Sequence, residues 1–229
     1  MKSIGEILDL GKVFFHVLKW NFKEEKRVRD LFYKNHTFSR IDTLLKKKYR
    51  FNSPYTISKK FLQKKGEQDV HRYGETPITA VDLIAKKVGI TPKDHVFELG
   101  SGRSRAAFFL AAEYRCKVSA IDWVPEFILH SYDISKRFKE IDATFYIGDI
   151  TKIQLSSASV IYLYGTCLED NQIHQIAENM KDLSSDVKIV TVSYPLTDYF
   201  PYDFKIQDQF EAEFNWGKAD VFIQTPAIT

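Results

Sequence analysis

The stretch VFELGSGRSR, residues 96–105, decides the fold of this 229-residue chain. An apolar-rich segment leads into a turn that contains Gly100 and Gly102, and residues 105–114 then follow helical spacing. Glycine lets the backbone turn tightly and approach a ligand without a Cβ in the way. Open α/β sheets bind ligands at such turns, at the carboxyl ends of their strands. The stretch therefore predicts a strand, a ligand-binding turn and a helix.

The same alternation of strands and helices continues through residues 73–229. The predicted strands are 95–99, 117–121, 144–147, 160–164, 187–192, 202–209 and 221–224. The predicted helices are 79–88, 105–114, 126–138 and 172–180. The last two strands are separated only by a short loop, which indicates an antiparallel hairpin at one edge. Strands that alternate with helices form a mostly parallel sheet covered on both faces, so we predict a doubly wound α/β catalytic domain over residues 73–229.

Residues 1–72 differ in both pattern and charge. They read as helices, at residues 4–18, 24–33, 41–48 and 57–64. They hold 18 basic and 8 acidic side chains, a net charge of +10, whereas residues 73–229 have a net charge of −7. We therefore predict a basic N-terminal helical extension that docks an anionic partner such as nucleic acid, a ribosome or an acidic protein. The alternative is a solvated helical face without a partner.

Several classes of protein are disfavoured by composition. No apolar run is long enough to span a bilayer, and charged residues interrupt the segment at residues 4–20, which is unlike a signal peptide. Cys116 and Cys167 lie far apart, so neither a disulfide framework nor a cysteine zinc site is expected. We expect a cytoplasmic protein whose chemistry needs no metal.

Acidic residues follow three successive predicted strands. Glu98 lies at the end of the first, Asp122 follows the second, and Asp149 follows the third. Glu98 suits a ligand with an ammonium group better than a pyrophosphate, and the third glycine of the dinucleotide fingerprint is missing, which disfavours a nicotinamide-dependent oxidoreductase. Asp122 can accept from ribose hydroxyls, and Asp149 from an adenine amine. Trp123 and Ile150 directly follow these acids and could enclose the adenine ring. Each acid alone could instead cap a helix or a turn.

Over residues 73–192 the chain resembles the class I S-adenosylmethionine-dependent methyltransferases. The resemblance rests on Glu98, Gly100 and Gly102, then Asp122, then Asp149. It implies a seven-stranded Rossmann-like sheet whose final hairpin supplies the antiparallel strand. It also implies S-adenosyl-L-methionine as the methyl donor, held in part by the turn residues from Gly100 through Ser101 to Gly102.

A narrower resemblance is to the disruptor-of-telomeric-silencing histone lysine methyltransferases. The segment YGET, residues 73–76, is similar to the loop that closes over the donor in that family. Further similar segments are FELGSG at 97–102, SVIY at 159–162, HQ at 174–175 and WGK at 216–218. The resemblance implies that Tyr73, Glu75 and Thr76 contact the donor and that Phe222 lies beside the acceptor channel. The alternative is an ordinary turn in which Thr76 caps a helix that begins at Pro77.

The chain departs from that narrower family where the acceptor would bind. Ser104 and Arg105 replace a Gly and a Gln, and YGTC at residues 164–167 replaces an Asn pair and a Phe. Tyr164 is the candidate for lining the acceptor pocket, with Thr166 behind it. We expect a macromolecular acceptor, protein lysine first, structured RNA second and a small molecule third. A binding module that holds the donor without turnover is the non-catalytic alternative.

Overall fold

A seven-stranded sheet with the order β3-β2-β1-β4-β5-β7-β6 forms the centre of the fold. The computed structural model describes residues 4–227, with side chains described from residue 15 onward. The strands are β1 His95–Leu99, β2 Lys117–Asp122, β3 Ala143–Ile147, β4 Val160–Leu163, β5 Lys188–Val192, β6 Phe204–Phe214 and β7 Gly217–Pro226. The first five are parallel, and β7 pairs antiparallel with both β5 and β6. The predicted α/β, mostly parallel sheet with a terminal antiparallel hairpin is confirmed.

Helices cover both faces of the sheet. They are α1 Ile4–Phe32, α2 His36–Lys48, α3 Pro54–Lys65, α4 Ile78–Val88, α5 Arg105–Phe109, α6 Pro125–Ser135 and α7 Asp170–Glu178. One π-helical turn, Leu110–Tyr114, continues α5. The chain leaves β1 toward β2 on one side and returns to β4 on the other, so the strand order reverses at β1. A crevice forms outside the strand ends at such a reversal, which is where α/β proteins bind ligands.

Several predicted boundaries differ from the structure, most clearly those of the first helix and of the final hairpin. The segments predicted at residues 4–18 and 24–33 are one helix of 29 residues, because nothing in the intervening KWNFK breaks it. The hairpin strands are longer than predicted, at 11 and 10 residues. Their extra length includes Glu211 and Glu213, which face solvent on the edge strand and alternate with the more buried Phe210, Ala212 and Phe214. The prediction ended this strand at residue 209 although the alternation continues beyond it.

The N-terminal helices pack directly against the helices of the sheet. Val28 and Phe32 of α1 and Phe38 of α2 belong to the same buried cluster as residues of α4, α5 and the sheet. A second cluster joins residues of α2 and α3 to Phe108 and Phe127. The helices therefore share a core with the rest of the described chain, while the domain boundary at residue 72 stays a prediction. None of the helices within residues 4–227 is long and apolar enough to cross a membrane.

Candidate active site

The glycine turn after β1 is tied to the end of β2. Gly100 and Gly102 have φ angles of 79° and 53°, which a glycine adopts without strain. The N–H groups of Gly100 and Ser101 both donate to the carbonyl of Ile121, at 2.9 Å each. Ser104 also has a left-handed backbone, with φ 60°. The turn is therefore held in place by the neighbouring strand, at the crevice where the strand order reverses.

Asp122 stands at the centre of this arrangement. It is buried, and its Oδ2 accepts from the N–H of Gly102 at 2.7 Å while Oδ1 accepts from the N–H of Val124 at 2.8 Å. Burial raises the pKa of Asp122 to about 6, against the lowering effect of the two N–H donors. A carboxylate has about four acceptor positions. Two positions therefore stay open for a ligand such as a pair of vicinal hydroxyls.

Glu98 is the second buried carboxyl. It is 5 % exposed, and its Oε2 has no hydrogen-bond partner within the described chain. Burial raises the pKa of Glu98 to about 8, the N–H of Ala107 opposes this, and the charges of Asp122 and Glu75 add to it. A buried acceptor without a partner is costly. A ligand ammonium group would supply both the missing donor and the missing positive charge.

Two neighbouring cavities adjoin these carboxyls. The larger encloses about 990 Å³ with its open mouth, and the smaller about 370 Å³. They share Gly74, Leu99, Gly100 and Tyr164. The predicted donor residues of the larger cavity are Tyr73, Gly100, Gly102, Asp122, Trp123, Asp149 and Ile150. Those of the smaller cavity are Glu75, Thr76, Glu98, Gly100 and Ser101. All eleven residues that the sequence predicted to bind a donor therefore meet at one site.

The carboxylate of Asp149 has more hydrogen-bond and ion-pair partners within the protein than those of Glu98 and Asp122. Its Oδ1 accepts from the N–H and the hydroxyl of Thr151, at 3.0 and 2.7 Å, and its Oδ2 pairs with Lys152 at 3.2 Å. These partners lower its pKa, although burial opposes them. Asp149 thus stabilises its own turn as well as lining the larger cavity.

The loop of residues 73–76 closes over the glycine turn. Tyr73 donates to Oε1 of Glu75 at 2.6 Å, and Nη2 of Arg103 donates to Oε2 of Glu75 at 2.7 Å. A Cβ at Gly102 would lie 3.1 Å from the Tyr73 ring, so a side chain there would push this loop away. Thr76 does not cap α4, which begins at Ile78; its hydroxyl instead bonds that of Tyr162.

Arg103 is a site residue that the sequence did not reveal. Its ion pair with Glu75 joins positions 28 residues apart, and no local spacing predicts such a contact. Burial would raise the pKa of Glu75, but the Arg103 guanidinium and the Tyr73 hydroxyl hold it below its ordinary value. Glu75 is therefore ionised at neutral pH and fixes the loop to the turn.

Of the residues predicted on the acceptor side, only Tyr164 reaches the site. It lines both cavities, and its hydroxyl accepts from Nε1 of Trp216 at 2.9 Å. Burial raises the pKa of Tyr164, so its hydroxyl stays protonated at neutral pH and is a poor general base. Thr166 is exposed and lines neither cavity. Phe222 is buried in the interior strand β7 and also lines neither.

Five parallel strands followed by a final antiparallel hairpin form the Rossmann-like methyltransferase fold that the sequence predicted. No protein-family model matches the chain, and no curated protein matches it in sequence. Among solved structures, it is similar to an RNA methyltransferase from Salinibacter ruber in complex with S-adenosyl-L-homocysteine. The two are 17% identical, with a TM-score of 0.56, over 68% of this chain and 97% of that one.

Two further solved structures widen the comparison. TrmN from Thermus thermophilus is 13% identical with a TM-score of 0.58, over 67% of this chain and 50% of its own. MtNAS in complex with MTA and tNA is 13% identical with a TM-score of 0.59, over 100% of this chain and 90% of its own. These likenesses confirm the predicted class I methyltransferase fold. The narrower likeness to histone lysine methyltransferases is not confirmed.

Proposed function

We propose that this chain is an S-adenosyl-L-methionine-dependent methyltransferase. The observation that carries the proposal is the buried Oε2 of Glu98, which has no hydrogen-bond partner within the described chain. It lies beside the same glycine turn as Asp122, whose carboxylate accepts two hydrogen bonds and has two acceptor positions open. Glu98 would bind the ammonium group of the donor and Asp122 its ribose hydroxyls, with the adenine beside Trp123 and Ile150 in the larger cavity. Two of the similar structures, solved with S-adenosyl-L-homocysteine and with MTA, support this choice of donor.

The donor supplies a methyl group on a positively charged sulfur, which an incoming nucleophile can take without help from a metal. The protein residues then have to bind the donor and the acceptor, orient them toward each other and exclude water. The loop of residues 73–76, fixed by the Glu75–Arg103 ion pair, covers the glycine turn. Tyr164 is held by Trp216 and would position the acceptor without removing its proton.

Electrostatics favours RNA over protein lysine as the macromolecular acceptor. Residues 43–66 contain eight Lys and Arg and no Asp or Glu. Most of these cations are exposed, and α3 also lines the larger cavity through Ser58 and Leu62. Such a surface attracts a polyanion and repels a lysine-rich protein segment. Similar structures whose names include RNA or tRNA methyltransferases support this acceptor, while nothing in the comparisons supports protein lysine.

A second candidate is transfer of a different group from the same donor. The structure with MTA matches the whole of this chain, including the N-terminal helices. Methylthioadenosine is what S-adenosylmethionine leaves behind when it gives up its aminocarboxypropyl chain and keeps its methyl group. Glu98 would hold that chain by its ammonium group, so the same site could serve either transfer.

Analysis of the spent donor and of the labelled acceptor separates these functions. The protein is incubated with methyl-labelled donor and cell extract, which is then divided between ribonuclease and protease treatment. We expect S-adenosyl-L-homocysteine as the product and label that ribonuclease removes. Label removed only by protease would identify a protein acceptor, and methylthioadenosine would identify the second candidate. Donor binding without any product would show a non-catalytic binding module and contradict the proposed activity.

A further inference from the structure

We propose that a third cavity, the helix-side pocket, binds one unstacked nucleobase of an acceptor RNA; this rests on the proposed methyltransferase function. The pocket encloses about 980 Å³ with its open mouth and lies between α1, the α2–α3 turn and residues 75–77. It shares Glu75, Thr76, Arg103 and Arg105 with the smaller donor cavity. An occupant would therefore lie next to the end of the donor that Glu98 is proposed to hold.

The lining of the helix-side pocket matches a flat, polar aromatic ring. Trp20, Tyr49 and Tyr55 line the pocket, and Tyr55 is 53 % exposed, whereas Tyr49 is largely buried. Asn21 and Asn215 provide amide groups that both donate and accept hydrogen bonds. Stacking on aromatic side chains with amides at the ring edge is how proteins bind single-stranded bases.

Each carboxylate that lines the pocket already has hydrogen-bond or ion-pair partners, which argues against a lysine side chain as occupant. Both carboxylate oxygens of Glu24 accept from Thr79, at 3.0 and 2.8 Å. Glu25 pairs with Arg105 at 2.9 Å and also with Lys46. Glu24 is the one described lining carboxylate without a cation, but it is only 4 % exposed, and the third, Glu75, pairs with Arg103. The pocket therefore offers an ammonium group no open carboxylate. A neutral base does not need one.

Exposed cations flank the pocket at the end of α2 and in the turn that follows it. Lys47, Lys48 and Arg50 are exposed and flank Tyr49, which faces the pocket. Ion pairs with acidic side chains are absent for these three residues within the described chain. A base that enters the pocket would therefore place its neighbouring phosphates against three unpaired cations, which is the arrangement that single-stranded nucleic acid requires.

Binding of a short single-stranded RNA with a central 2-aminopurine tests the pocket directly. The fluorescence of the probe is followed in the presence of S-adenosyl-L-homocysteine, and we expect quenching as the base stacks. Tyr55→Ala and Trp20→Ala should each weaken RNA binding about tenfold or more, since stacking dominates affinity for single strands. Tyr202→Ala replaces an exposed tyrosine that lines none of the three cavities and should leave binding unchanged. Trp20→Ala and Tyr202→Ala should bind S-adenosyl-L-homocysteine as the wild type does, whereas Tyr55 packs edge-on against the ring of Tyr73, so its variant is compared at saturating ligand.

A charge variant gives an independent measurement. Replacing Lys47, Lys48 and Arg50 together by Gln should reduce the slope of log K against log salt by about 2, because each phosphate contact to a single strand contributes about 0.7. RNA binding that is unaffected by both stacking variants would overturn the proposed base pocket, as would binding of a lysine peptide in place of the RNA. If the wild-type protein does not bind S-adenosyl-L-homocysteine, the proposed function itself is overturned.

Discussion

Asp42→Ala should lower the free energy of unfolding by about 3–5 kcal/mol, the cost of leaving a buried charge without its partner. Asp42 is fully buried on α2, and its two oxygens accept from Nε and Nη2 of Arg105 at 2.7 and 3.0 Å. Tyr33 also donates to Asp42 at 2.7 Å. Arg105 is 8 % exposed, so the variant would remove two of the acceptors of a buried guanidinium and leave it only the pair with Glu25 at 2.9 Å. Denaturant unfolding at pH 7 measures the difference.

The pH dependence of this loss follows from the pKa of Asp42. Burial would raise that pKa, but Arg105 and Lys46 hold it well below the ordinary value. The stabilisation is therefore fully present above about pH 4 and should decline as the pH falls below that value. Asp133→Ala, which removes an exposed pair with Lys136 at 3.9 Å, should cost less than about 1 kcal/mol. Equal losses in the two variants would show that the Asp42–Arg105 pair does not anchor α2.

Asp122→Ala should weaken binding of S-adenosyl-L-homocysteine by tenfold or more, about 1.4 kcal/mol or above. The variant removes the proposed ribose acceptor and also the carboxylate that fixes the N–H of Gly102. Both losses act on the same turn, so their effects on ligand binding have the same sign. Calorimetric titration of the folded variant measures the change in dissociation constant.

Two other acids serve as comparisons for Asp122. Asp142→Ala changes an exposed residue that precedes β3 and should bind the ligand as the wild type does. Asp149→Ala should have a smaller effect than Asp122→Ala, because Asp149 already accepts from Thr151 and pairs with Lys152. If Asp122→Ala binds S-adenosyl-L-homocysteine with wild-type affinity, the assignment of Asp122 to the donor site is wrong.

The sequence was sufficient to predict the features that depend on local patterns. β1 was predicted with the bounds His95–Leu99 because an apolar run ends there at Gly100. Glu98 and Asp122 could be assigned to one site because parallel strands end at the same edge of a sheet. The loop of residues 73–76, by contrast, was placed beside the turn only through its resemblance to a known family.

Features that depend on contacts between distant residues could not be predicted. The Asp42–Arg105 pair joins positions 63 residues apart and makes the N-terminal helices part of the core, whereas net charge alone suggested a separate extension. Arg103 was overlooked because its partner, Glu75, lies on another loop. Phe222 was assigned by resemblance, but it lies in the part of interior strand β7, residues 221–224, that is buried on both faces of the sheet.

Calorimetric titration of the wild-type protein with S-adenosyl-L-homocysteine, in two buffers of different ionisation enthalpy, tests whether Glu98 and Asp122 form a donor site. With a pKa of about 8, Glu98 is about nine-tenths protonated at pH 7, and pairing with an ammonium group would ionise it. We therefore expect one ligand bound, close to one proton released, and affinity that rises between about pH 6 and pH 8. Glu98→Gln should abolish the proton release. No binding heat, or preferential binding of NAD, would contradict the assignment of this cleft.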